Sequence, residues 1–193
     1  MIKITREGYP VLITLGILTI LAIFSHFKFL TNLFFILFLF SAYFFRDPER
    51  FPPKIENIFV SPADGKILKI EEVTPDFIDT LCYKISIFMN IFDVHINRAP
   101  YSGIVLEKSY RKGKFFNASL DKASEENEKM DYIIDSGNFK YKLTQIAGLI
   151  ARRIVSYIET GEELKTSQKI GMIKFGSRAE IVIPKDIIKI NVS

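Results

Sequence analysis

A Gly-Ser-Arg step near the C-terminus has the most specific chemistry in this sequence. Gly176, Ser177 and Arg178 lie in the string GMIKFGSRAEIVIP, between an apolar run and a strand-like alternation of apolar and polar residues. A serine hydroxyl can attack the carbonyl that precedes it, which moves the acyl group from nitrogen to oxygen and gives an ester. Elimination of that ester would leave a pyruvoyl group, an electrophilic ketone, at a new amino terminus. A simple turn before a strand is the alternative interpretation of the same residues.

The polar residues around His95 could supply a base. The string FDVHINRAP spaces Asp93, His95 and Asn97 two residues apart, so that a strand would project all three from one face. An aspartate beside a histidine can orient the imidazole and tune its basicity. A half-exposed strand with outward polar residues is the simpler interpretation. The other histidine of the chain, His26, lies between two apolar runs.

Asp64 and Arg98 complete the set of candidate site residues. Asp64 occurs in SPADGK, where Asp-Gly is also a common turn signal. Arg98 could pair with a phosphate, a carboxylate or Asp93. The side chains of Asp64, His95 and Ser177 therefore form a candidate orienter, base and nucleophile. The sequence has one cysteine and no ligand spacing typical of zinc or iron–sulfur sites, so we expect neither a metal nor an intramolecular disulfide.

Two uncharged apolar runs, residues 9–25 and 29–45, predict an N-terminal transmembrane helical hairpin within residues 1–46. One span with one interfacial segment is the alternative, because Lys28 can extend its charge to the membrane surface and the first run contains Gly16. Lysine and arginine residues flank the pair on both sides, while the connection carries only Lys28. The positive-inside rule then places both ends, and the domain that follows, on the cytoplasmic side of the cell membrane.

Residues 47–193 predict a mostly β (α+β) domain with a compact barrel-like or sandwich-like arrangement. Several short strand patterns alternate with turn signals, including a hairpin whose tip lies at 135–138. The pattern of 149–159 predicts a helix, and IKFGSRAEIVIP predicts a pair of neighbouring strands. This domain carries 22 Lys and Arg against 21 Asp and Glu, a net charge of +1, which argues against nucleic acid as a partner.

Several longer strings together resemble the short form of the phosphatidylserine decarboxylase family. They run in the family's order: REGYP, YFFRDPER, SPADGKI, FMNIFDVHINRAPYSGIV, KGKFFNA, QIAGLIARRI and GMIKFGSR. The resemblance implies a proenzyme that cleaves itself between Gly176 and Ser177. The large chain and the small chain remain partners, and the pyruvoyl group made from Ser177 is the covalent cofactor. A Schiff base with this ketone would then decarboxylate the serine headgroup of phosphatidylserine or archaetidylserine to the ethanolamine phospholipid.

The resemblance also carries roles for individual residues and leaves one gap. Ser177, His95 and Asp64 match catalytic positions, and the residue pattern adds Asp93, Asn97 and Arg98 as candidate supporting residues. In longer members a second histidine belongs to the self-cleavage triad, and that position is Arg98 here. The base for self-cleavage is therefore open, and His95 is the candidate imidazole for both steps.

Two other functions fit parts of the sequence. One is a self-cleaving pyruvoyl enzyme for a soluble amino acid, against which the membrane hairpin argues. The other is a membrane-tethered, non-catalytic adaptor, because RAPYSGIVLEKSYRKGKF resembles the lipoyl and biotinyl carrier domains. The stretch lacks the lysine that such carriers place at the tip of their turn.

Overall fold

The computed structural model describes residues 3–55, 57–149, 153–174 and 176–189. The chain separates into two compact units, Met1–Glu49 and Arg50–Ser193. The boundary lies three residues beyond the limit of 46 expected for the hairpin, and the domain limits derived from the sequence remain a prediction.

The first unit consists mainly of two apolar helices. Strand β1 (Lys3–Ile4) pairs with β2 (Arg46–Asp47), and helices α1 (Tyr9–Phe24) and α2 (Lys28–Phe44) lie between them in the chain. With its preceding turn, α1 forms a 19-residue apolar helix that is long enough to cross a membrane, whereas α2 has 17 residues and is a shorter apolar helix. Many of their large apolar side chains are exposed, which a bilayer would cover.

The second unit contains a seven-stranded antiparallel sheet. Its strands, in the order in which they pair, are β10 (Glu163–Leu164), β6 (Gly103–Arg111), β7 (Lys129–Asp135), β8 (Lys140–Ala147), β12 (Ser177–Pro184), β4 (Cys82–Met89) and β3 (Lys66–Val73). Strand β12 lies between β8 and β4, so both of its edges are paired. The predicted hairpin is confirmed as β7 and β8, with Gly137 of its tip at φ 89°.

A three-stranded antiparallel sheet packs against one face of the larger one. It consists of β5 (Ile96–Arg98), β11 (Lys169–Ile173) and β9 (Ile154–Ser156), with β11 in the centre. The main core draws Leu143, Ile181 and Ile183 from the larger sheet and Ile170 and Ile173 from the smaller one. Among the described residues neither sheet closes on itself, so the mostly β fold is confirmed in the form of an open sandwich.

Two local predictions are wrong. The helix predicted over 149–159 is replaced at Ile154–Ser156 by β9, which pairs with β11; residues 150–152 of that prediction lie outside the described residues. Strands β11 and β12 are not partners, because β11 pairs with β5 and β9 while β12 pairs with β4 and β8. The charged segment after residue 118 contains one short helix, α3 (Ala123–Glu126).

Candidate active site

The Gly-Ser step lies where the chain enters the central strand β12. Ser177 is the first residue of the strand and is opposite Met89 of β4 and Ala147 of β8. Gly176 has φ +62°, in the left-handed region that favours glycine. The two ladders therefore fix the serine, while the peptide before it turns away from the sheet.

The Ser177 side chain is directed into the interior between the two sheets. The residue is completely buried, and its Oγ lies 3.9 Å from the sulfur of Met89. A thioether is a weak hydrogen-bond acceptor, so this contact does not hold the hydroxyl strongly. The burial of Ser177 keeps this oxygen away from bulk water.

His95 provides a lone pair at the Gly-Ser step. It is completely buried and lies just before β5. Its Nδ1 lies 3.0 Å from the carbonyl oxygen of Asp93, and its Nε2 accepts a hydrogen bond of 3.2 Å from the N–H of Gly176. Because a carbonyl only accepts and an N–H only donates, these partners assign the proton to Nδ1 and the lone pair to Nε2.

Asp93 holds the imidazole in a different way from the one expected. It lies in a turn before β5, so Asp93, His95 and Asn97 do not share one strand face. Its backbone carbonyl contacts His95, whereas its carboxylate accepts the N–H of Asn90 at 2.8 Å. The turn directs the carboxylate of Asp93 to the backbone of Asn90, and the supporting role expected of Asp93 stays a prediction.

Asn97 belongs to a buried chain of polar side chains. Its Oδ1 accepts a 2.8 Å hydrogen bond from Nε2 of Gln145, whose Oε1 accepts one of 2.9 Å from the hydroxyl of Tyr132. The Nδ2 of Asn97 lies 3.5 Å from the sulfur of Met89, the same atom that Ser177 contacts. Burial raises the pKa of Tyr132 to about 12, so the phenol remains a neutral donor.

Asp64 and Arg98 lie on the outer side of β5, around a cavity of about 190 Å³. The carboxylate of Asp64 is 40% exposed and forms an ion pair of 2.7 Å with Arg50. Arg98 donates from Nη1 to the carbonyl of Ser167 at 2.9 Å. Among the described residues no hydrogen bond joins Asp64 to His95. The structure thus brings Ser177 and His95 to one site and places Asp64 beside Arg50.

Comparison with known proteins decides the family. The sequence profile of the family described as "Phosphatidylserine decarboxylase" matches residues 37–193. The phosphatidylserine decarboxylase proenzyme of Syntrophus aciditrophicus is 46% identical over 186 residues, which are 95% of this chain and 87% of the relative. The proenzyme of the same name from Carboxydothermus hydrogenoformans is 46% identical over 96% of this chain and 87% of the relative. That from Oleidesulfovibrio alaskensis is 43% identical over 95% and 85%.

The chain belongs to the phosphatidylserine decarboxylase family. The match to this family's profile includes all of the site, from Asp64 to Ser177. Members of this family are known as pyruvoyl-dependent decarboxylases, and a buried serine that follows a glycine beside a histidine is the kind of site from which a pyruvoyl group can form. Within the described residues no cluster of three or more His, Cys, Asp or Glu side chains is arranged for a metal ion.

For this decarboxylase family member, sequence reasoning missed Gln145 and Tyr132. Gln145 stands in QIAG, one of the strings that carried the resemblance, and it occupies an inward position on β8. A polar amide on the buried face of an apolar strand was the available signal, because such a group needs a partner. The partner, Asn97, is 48 residues away in the chain, and only the fold reveals it.

Proposed function

We propose that this chain is a phosphatidylserine decarboxylase proenzyme, which cleaves itself between Gly176 and Ser177 and then decarboxylates the serine headgroup of a membrane phospholipid. Family membership supports the reaction and the substrate. The observation that carries the proposal is the hydrogen bond from Gly176 N–H to Nε2 of His95, which puts a neutral imidazole at the scissile step. The buried hydroxyl of Ser177 is the nucleophile.

Self-cleavage needs one base and one internal nucleophile. The Oγ of Ser177 gives up its proton and bonds to the carbonyl carbon of Gly176, the C–N bond breaks, and the released amine takes a proton. Loss of the Cα proton of Ser177 then breaks the bond between its Cβ and Oγ, and Oγ leaves as part of the carboxylate of Gly176. Water hydrolyses the resulting enamine, through its imine form, to the ketone and ammonia. We assign these proton transfers to His95, because its Nε2 lies 3.2 Å from the nitrogen of Gly176, the residue before Ser177; Nε2 takes a proton once it gives up that hydrogen bond.

The residues around Ser177 fit a pyruvoyl group at this position. When formed, the ketone supplies an electron sink for decarboxylation of an amine-bearing substrate. His95 is held by the carbonyl of Asp93 with one ring nitrogen towards the site, so it can return a proton after carbon dioxide leaves. The buried environment of Met89 and Asn97 limits water, which favours loss of a carboxylate. The role of Asp64 in self-cleavage remains a prediction.

The apolar helices support a membrane location for this activity. A phospholipid substrate resides in a bilayer, and α1 is long and apolar enough to cross one. Positive residues at both flanks favour a cytoplasmic position for the catalytic unit. Fractionation should recover the full-length protein with membranes. Protease added to intact cells should leave the catalytic unit uncut, and cleavage by external protease would contradict the orientation.

The decisive experiment follows maturation and activity in the same preparation. Intact mass measurement of the wild type should give chains 1–176 and 177–193, the latter with a terminal ketone in place of the amine. Ser177→Ala should remain one chain and should release no carbon dioxide from phosphatidylserine vesicles. Ser177→Cys should cleave slowly, because a thiol makes the same acyl shift. An uncut, inactive wild type would favour the adaptor, and a mature enzyme acting only on free amino acids would refute the lipid substrate.

A further inference from the structure

The backbone of Gly148 lies so close to the scissile carbonyl, that of Gly176, that no side chain would fit between them. It follows β8, directly after Ala147, the residue opposite Ser177 in the ladder. A Cβ added at Gly148 would lie 2.0 Å from the carbonyl oxygen of Gly176 and 2.9 Å from its carbonyl carbon. Real Cβ atoms do not approach oxygen this closely. The backbone of Gly148 therefore forms the wall against which the carbonyl of the scissile peptide rests.

The two glycines at this contact are needed for different reasons. Gly176 has φ +62° and open space around an added Cβ, so its requirement is conformational. Gly148 is outside the positive-φ region, and its requirement is the close approach of another backbone. The group that needs this close approach is the carbonyl of Gly176, which is the carbonyl that Ser177 would attack.

A buried asparagine holds this wall in place. Asn127 is completely buried and donates from Nδ2 to the carbonyls of Phe116 and Ala147, at 2.7 Å each. Its Oδ1 accepts the N–H of Phe116 at 2.8 Å. These bonds clamp the loop that follows Phe116 to the end of β8. In that loop, the Cβ of Ala118 would lie 3.3 Å from a Cβ at Gly148, which closes the other side of the wall.

We propose that Gly148 is a positioning residue for self-cleavage: its bare backbone seats the carbonyl of Gly176 for attack by Ser177. This inference rests on the self-cleavage proposed above. In the attack, Oγ forms a bond to the carbonyl carbon and the carbonyl electron pair moves to the oxygen, which takes negative charge. The oxygen that changes in charge is thus the atom that touches Gly148. Its position relative to Oγ depends on the absence of a side chain at residue 148.

Gly148→Ala should slow self-cleavage about 100-fold. Moving the new Cβ from 2.0 Å to a tolerable contact displaces the carbonyl or the strand end by roughly 1 Å. A misplacement of this size costs about 100-fold in a reaction that depends on near-attack geometry. The full-length protein is followed by intact mass over time, with thermal unfolding as the test of folding. Hydroxylamine, which cleaves esters, is added in parallel samples.

The matched control is Gly103→Ala. Its Cβ would lie 2.5 Å from the carbonyl oxygen of Asp135, so it meets a comparable backbone clash, but three strands away from β12. Gly103→Ala should mature at the rate of the wild type. Gly148→Ala should accumulate uncut chain that hydroxylamine does not cleave, since the block precedes the ester. Release of two chains by hydroxylamine would overturn the proposal, because the acyl shift would then be intact.

A second variant distinguishes a direct effect on self-cleavage from a folding defect. Ala118→Gly combined with Gly148→Ala removes the side-chain neighbour at 3.3 Å and leaves the contact with the carbonyl oxygen. The double variant should fold and remain uncut. Maturation of either folded variant at the wild-type rate overturns the inference, as does failure of both to fold. An uncut wild type, in contrast, refutes the proposed function itself.

Discussion

Replacing His95 by glutamine would separate the imidazole's role as a base from its role as a hydrogen-bond partner. The Oε1 of glutamine reaches about as far as ring Nε2, so it can accept the N–H of Gly176, but it does not take a proton near neutral pH. Asparagine is the matched control. It is shorter, so it can donate to the carbonyl of Asp93 and leaves the N–H of Gly176 without His95 as its acceptor.

Loss of the base and loss of the hydrogen-bond acceptor differ in size, and the first affects the reaction rate whereas the second affects stability. General base catalysis contributes about 10²- to 10⁴-fold, or roughly 3–5 kcal/mol in the barrier. An interior N–H that loses its acceptor costs about 1–3 kcal/mol of folding free energy. His95→Gln gives up the hydrogen bond to the half-buried Asp93 carbonyl, so it should lose only about 1 kcal/mol of unfolding free energy, whereas its self-cleavage should fall by at least about 100-fold. His95→Asn should lose both stability, because the N–H of Gly176 loses its acceptor, and self-cleavage, because the base is gone.

The assay measures the full-length fraction over time by intact mass, with urea unfolding of each variant in the Ser177→Ala background. Maturation of His95→Gln at the wild-type rate would refute His95 as the base. A variant that matures slowly and then fails to decarboxylate would assign the imidazole to both steps, which is the outcome we expect. A variant that matures slowly and then decarboxylates normally would limit the histidine to self-cleavage.

Two further predictions concern the polar face of the large sheet. Arg178→Met should lower the free energy of unfolding by about 3 kcal/mol and leave self-cleavage intact, because the buried guanidinium pairs with Glu180 at 2.8 Å on the face opposite Ser177. Loss of cleavage in a folded Arg178→Met protein would contradict this. The pKa of Glu71 is lowered mainly by its hydrogen bond from Lys69. A lowered carboxyl pKa gives stability that is present above the unfolded pKa and is lost as pH falls through the folded one. Urea unfolding should therefore show Glu71→Gln less stable than the wild type by about 0.5 kcal/mol at neutral pH, with the difference vanishing below pH 4.5, and a constant difference would count against this reasoning.

Local patterns predicted those elements whose signal lies in the chain itself. The turn at 135–138 defines the β7–β8 hairpin, and two uncharged runs define α1 and α2. The strand β9 was missed because its apolar spacing also fits a helix. Its partner β11 lies outside the window in which a pattern is read, and pairing with β11 gives this segment its extended form.

The site likewise contains residues that the sequence could indicate and contacts that only the fold reveals. Ser177 and His95 could be named from their types and setting, but the contact between His95 and Gly176 spans 81 residues. His95 contacts the carbonyl of Asp93 and not its carboxylate because of the geometry of the turn, which the spacing of residues in the sequence does not specify. Gly148 gives no chemical signal in a sequence, because its importance is the space that it leaves for a backbone 28 residues later.

The position of the cut predicts that the two chains stay together after maturation. Ser177 begins β12, which retains ladders to both β4 and β8 when the bond before it breaks. Burial of Ile181, Val182 and Ile183 alone contributes about 5–9 kcal/mol to holding the small chain. The chains should therefore co-elute in gel filtration under native conditions in detergent and separate only in denaturant. Loss of the small chain from the native protein would mean that β12 is not held by its neighbours. The ketone at residue 177 would then have no fixed position relative to His95, since the same ladders that retain the strand also fix its first residue in the site.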